Sequence, residues 1–147
     1  LSDFTLAINY VPGLTDLEIT TEQTTGVGAS RLVVSGEKLK LDETVVEWTD
    51  NEGFVLRLHR GDEGPIPPMT EAYFDYNMIV EGDQVYLHNR MRYKVGLGPL
   101  GRFLDWLAIR KVVAGSVRDA TIAQKLFYES GEKVGKERLA EAKKQLP

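Results

Sequence analysis

Polar and apolar residues alternate through the middle of the chain, and the period lengthens towards its end. In "QVYLHNRMRYKV" (84–95), Val85, Leu87, Asn89, Met91 and Tyr93 share one phase while Tyr86, His88, Arg90, Arg92 and Lys94 share the other, the period of two expected of a half-buried strand. "EAYFDYNMIV" repeats the pattern with Ala72, Phe74, Tyr76, Met78 and Val80, and "GFVLRLHR" repeats it with Phe54, Leu56 and Leu58. "TDLEITTEQ", "ASRLVVSG" and "KLKLDETVVEW" are three earlier β-rich runs. The breaks "TGVG", "TDNEG" and "EGD" are short enough to require hairpins, and therefore antiparallel neighbours. From Pro99 onward Trp106, Ile109, Val113, Val117, Ala120 and Phe127 recur at helical spacing, which predicts a helix to about Tyr128. At the start, Ser2 followed by "DFTLAINYV" predicts a short capped helix ended by Pro12-Gly13. The predicted class is α+β: an antiparallel sheet closed by one long C-terminal helix, with a short N-terminal helical segment.

The 147 residues suit one domain with one core, placed at 1–128, with 129–147 as a polar extension forming a short helix or tail. Gly61 to Thr70, "GDEGPIPPMT", is too rich in proline for a paired strand and reads as a functional loop bordering a cavity. A net charge of −4 argues against a nucleic-acid partner, which calls for a basic field. The chain has no cysteine and two histidines, which excludes thiolate chemistry and sulfur-ligated metal, and no metal or cofactor is expected. No run approaches a membrane span, so the chain reads as a soluble, cytoplasmic protein; its oligomeric state is not encoded in these patterns.

Gly96, Gly98 and Gly101 in "VGLGPLGRFLDWL" carry the spacing G-x-G-x-x-G. A dinucleotide site requires a second parallel strand after the helix, ending in an acidic residue. No strand-like segment follows Gly101, and Asp119 falls within helical periodicity. The glycines read instead as a sharp strand-to-helix turn, with Pro99 in the first helical turn and Gly101 allowing close packing.

The period of two also sorts the chemistry. His59 and His88 fall on the polar phases, as do Arg90, Arg92 and Lys94, and both sets read as solvated. Asn89, Tyr93 and Tyr76 are polar groups on apolar phases. Glu43 joins them if its strand follows Leu39 and Leu41 inward, whereas Asp42, Thr44, Val46 and Trp48 form a competing phase. Buried polar groups need partners. They either bond to one another or orient a ligand in a mostly apolar pocket, where a carboxylate gains proton-transfer capacity from its raised pKa.

The order of elements, with "LSDF", "YVPGL", "GVGASR" and "YKVGLGPLGRFLDWL", resembles the SRPBCC superfamily, the START-like helix-grip fold that includes polyketide cyclase/dehydrase-like proteins. The resemblance covers most of residues 1–128. It implies a curved sheet gripping the C-terminal helix around a hydrophobic ligand of lipid, polyketide or aromatic type. It also implies a strand ahead of the first helix, so upstream residues are expected. The expected partner is a small hydrophobic molecule. Phe54, Leu56, Phe74, Met78, Leu87, Met91 and Trp106 would form the apolar wall, and Tyr76, Asn89 and Tyr93 would orient a polar end. One rival is a cyclase or dehydratase-like enzyme using Glu43 or a tyrosine as acid or base. Another is a packed interaction module without a ligand.

Overall fold

A computed structural model describes residues 3–37 and 39–145; the Ser2 cap, Lys38 at the start of its predicted strand, and the last two residues of the predicted extension lie outside them. Asp3 caps the first turn, its carboxylate accepting from the Thr5 backbone N–H at 2.9 Å. A 3-10 turn (Phe4–Leu6) leads into α1 (Ala7–Tyr10). Six strands follow: β1 (Leu14–Ile19), β2 (Ser30–Ser35), β3 (Leu39–Thr49), β4 (Gly53–His59), β5 (Met69–Glu81) and β6 (Gln84–Val95). Their order in the sheet is their order in the chain, each pairing antiparallel with the next. β1 and β6 are therefore the two edges. α2 (Gly98–Leu104), a π-helical turn (Asp105–Ile109) and α3 (Arg110–Ser130) make the long helix, and α4 (Lys136–Gln145) closes the described chain.

Inward-facing positions follow the expected phases in β4 and β5: Phe54, Leu56, Ala72 and Tyr76 are buried, with Leu58 and Phe74 packed against them. β3 carries a bulge. Val45 pairs with Leu56 and Glu47 with Val55, so Val46 is an extra residue. Such an insertion reverses the phase along a strand. Glu43 and Val45 consequently face the core before the bulge, and Trp48 stacks on Phe54 at 5.5 Å after it. Both competing sequence phases are thus realised, on opposite sides of Val46.

The core lies between the sheet, α1, the C-terminal half of α3 and α4. Phe4, Tyr10, Phe54, Leu56, Tyr76 and Ala123 belong to it. So do Val134 and Leu139, and the Val134 N–H donates to the Asn9 carbonyl at 2.8 Å. The polar extension is therefore packed onto the domain, with Lys143 paired to Asp119 at 2.6 Å.

The glycine-rich turn is structural. A Cβ at Gly101 would lie 1.7 Å from the Gly96 carbonyl oxygen, so only glycine lets the helix start this close to the end of β6. Leu97 and Gly98 take left-handed φ values of 67° and 53°. No strand follows the long helix among the described residues.

Candidate functional site

β6 and α3 do not close against each other along their whole length. Between them runs an open groove of about 590 Å³, lined by Asn89, Arg90, Met91 and Tyr93 from β6 and by Arg110, Val113, Ala114, Val117, Arg118, Thr121 and Ile122 from α3. The alternation of β6 turns Asn89, Met91 and Tyr93 towards the helix, and the helical repeat returns Val113, Val117 and Thr121 to face them. The walls are mainly apolar, and three arginines stand around them.

Beneath the groove, the contact that Asn89 makes with α3 is polar and incompletely paired. Asn89 Nδ2 donates to Gln124 Oε1 at 2.7 Å and to Thr121 Oγ1 at 3.1 Å. Thr121 in turn donates to the Val117 carbonyl at 2.8 Å. Asn89 Oδ1 and Gln124 Nε2 have no partner although both are buried, Gln124 completely. Exchanging the O and N ends of both amides leaves the same pair of unmet needs, one donor and one acceptor. Each unmet group costs about 1–3 kcal/mol while it stays unpaired.

Tyr93 belongs to a second polar contact. Its hydroxyl donates to Asp105 Oδ1 on the π turn at 2.5 Å. Burial, together with this bond to a carboxylate, pushes the phenol up to about 12.

Tyr76 and Glu43 lie elsewhere, in a buried cluster under the N-terminal turn. Arg31, 2% exposed, holds Glu43 Oε2 through Nε at 2.6 Å and through its terminal nitrogen at 2.5 Å. It also donates to the Phe4 carbonyl and lies 4.1 Å from the centre of the Phe4 ring. Burial opposes the charge on Arg31, but the Glu43 carboxylate outweighs it, and the pKa lies above the ordinary arginine value. Burial followed by the nearby Glu43 charge raises Tyr76 strongly, and burial followed by Tyr76 raises Tyr10.

Of the residues expected to form one site, the structure brings Asn89, Met91 and Tyr93 to the groove and disperses the others. Phe54, Leu56 and Tyr76 are filled core, with Phe74 packed against them. Met78 borders a smaller hollow of about 260 Å³ at the β3–β4 turn. Leu87 is half-buried outside the groove lining. Trp106, expected inside, is 59% exposed. The π turn explains this: its extra residue per turn shifts the inward phase, so Gly101, Asp105 and Val113 are covered where a continuous α-helix would have carried Trp106 inward. Glu43 is occupied by Arg31 and is not among the groove residues. A proton-moving role for Glu43 on a groove ligand therefore has no geometric basis. The Gly61–Thr70 loop does not line the groove either; its Pro68 carbonyl accepts from the Gly96 N–H at 2.9 Å, so the loop lies against the turn expected opposite it.

Sequence reasoning missed Arg31, Asp75 and Gln124, all buried polar residues. Arg31 shares its phase with buried Val33, a signal that was available. Asp75 is 2% exposed on the outer face, where Arg90 and Arg92 clamp it at 2.7 and 2.9 Å. Lys94 pairs with Glu71 at 2.9 Å. The basic triplet of β6 is thus engaged by acids of β5. His88 is exposed, whereas His59 is half-buried, held by Thr44 and the Gly61 carbonyl. Among the described residues, no group of three or more acidic, histidine or cysteine residues could hold a metal, and no helix is long and apolar enough to cross a membrane.

No protein-family model and no curated protein matches the sequence. Solved structures do match. The crystal structure of Ara h 8.0201 aligns with a TM-score of 0.55 over 80% of this chain and 77% of its own, at 12% identity. At that identity the likeness concerns the fold. With six antiparallel strands, a short N-terminal helix and a C-terminal helix of 33 residues, the chain has the helix-grip fold.

Proposed function

We propose that this protein binds a small, largely hydrophobic molecule in the groove between β6 and α3. The observation that carries the reading is the coincidence of an apolar trough with a buried, unpaired amide atom on Asn89, one of its lining residues. A ligand with an apolar body and a hydroxyl or amide end pairs with the Asn89 amide. Met91 adds an adaptable wall. The chemical class of lipid, polyketide or aromatic compound belongs to the proposal, as does cytoplasmic residence.

Gentle purification followed by native mass spectrometry, with denaturing extraction of any retained compound, tests for a natural occupant. Titration with the neutral probe Nile red tests the site itself. The wild-type protein is expected to take up the probe with enhanced fluorescence. Ala114→Trp, which fills the trough from an exposed helix position, is expected to lose uptake at unchanged melting temperature. Equal uptake by both proteins would move the binding site elsewhere.

A further inference from the structure

The N-terminal half of the long helix leaves an apolar face uncovered. Leu97, Leu100, Phe103, Trp106 and Leu107 are between 52% and 63% exposed, and Phe103 and Trp106 lie 6.1 Å apart, ring to ring. The π turn is what sends Trp106 outward. Monomeric proteins seldom leave such a contiguous patch without a use.

Charge narrows the choice of partner. The chain as a whole carries −4, yet residues 98–118 contain Arg102, Arg110, Lys111 and Arg118 against the single carboxylate Asp105. That carboxylate accepts from Tyr93, pairs with Arg110 at 3.5 Å and is only 23% exposed, which leaves Arg102, Lys111 and Arg118 as the cations outside this pair. Arg102, Arg110 and Lys111 are exposed beside the apolar residues. Two copies meeting through this face would set like charges against each other. A protein partner would need a complementary acidic groove, whereas a bilayer needs only an anionic surface for these projecting side chains to enter. Aromatic and leucine side chains projecting from one helix, with cations alongside, are the chemistry of an interfacial helix on an anionic bilayer.

We propose that the face formed by Leu100, Phe103, Trp106 and Leu107, flanked by Arg102, Arg110 and Lys111, docks the protein on an anionic lipid surface. The apolar side chains enter the headgroup boundary and the cations meet lipid phosphates and carboxylates. The patch runs into the groove at Arg110, but docking does not depend on the groove being occupied.

The test is co-flotation with phosphatidylcholine vesicles and with the same vesicles containing phosphatidylserine, read together with tryptophan fluorescence. The wild-type protein is expected to float with the phosphatidylserine vesicles, to be released by added salt, and to show a blue shift that Trp106→Phe abolishes. Arg102→Glu with Lys111→Glu is expected to weaken binding by about tenfold or more. Phe103→Ser with Leu107→Ser is expected to abolish it. Both double variants should keep the wild-type melting temperature and Nile red uptake, which separates failure of docking from failure of the groove. The proposal is overturned by absence of binding to either vesicle, by equal binding to both, or by binding that these variants leave intact. It is equally overturned if self-association of the protein alone gives the Trp106 shift.

Discussion

At the residue scale, the polar groups placed inside the fold resolve into separate contacts with different consequences. Arg31 and Glu43 form an ion pair in the core, where loss of one partner strands the other charge. Arg31→Met and Glu43→Leu are each expected to cost about 3–5 kcal/mol. The double replacement is expected to cost much less than their sum, as measured by denaturant unfolding; additivity would mean that the pair is not coupled. Tyr93 gives an alkaline signature. Below its ordinary value of 10.0, folded and unfolded chains both hold the phenolic proton and the contribution to stability is complete. Above that value the unfolded chain releases it first, so stability falls until the pH passes about 12. Tyr93→Phe is expected to flatten this fall, measured as the denaturant midpoint against pH. Asn89 and Tyr93 were legible in the sequence because the alternation of β6 is unbroken. Gln124 was not, because its role depends on which strand the helix meets.

At the element scale, strand phases were legible except where an inserted residue reset them. The bulge at Val46 and the π turn at Asp105–Ile109 are the same kind of event in a strand and in a helix. Each shifts the facing of everything beyond it, and neither has a sequence mark as strong as the alternation it interrupts. The prediction of Trp106 as a cavity wall failed for that reason. The glycine turn was legible because it needed only local sterics. Gly101→Ala would drive a Cβ into the Gly96 carbonyl and is expected to cost about 1–3 kcal/mol as overpacking. Gly115, in the middle of α3 with nothing within 4 Å of an added Cβ, is the control: Gly115→Ala is expected to stabilise by up to about 1 kcal/mol. Thermal unfolding of the two variants checks both signs.

For the whole molecule, the sequence located the layers but not the unfilled space between them. The apolar phases of β4 and β5 meet α1, the end of α3 and α4, and their side chains fill that volume. Space remains at the β6 edge, where the N-terminal half of α3 stands over the sheet without closing on it. The helices cover one face of the sheet, so the volume left open depends on where α3 crosses it. No residue pattern states that directly. In the proposed function the groove, and not the packed interior, receives the ligand. The most direct measurement is a nuclear magnetic resonance titration with decanol, following the side-chain amide signals of Asn89 and Gln124. Both pairs of signals are expected to move together with the Val113 and Val117 methyls and to saturate at one site. Shifts confined to the Trp48 and Met78 hollow, with the two amides unmoved, would contradict that reading.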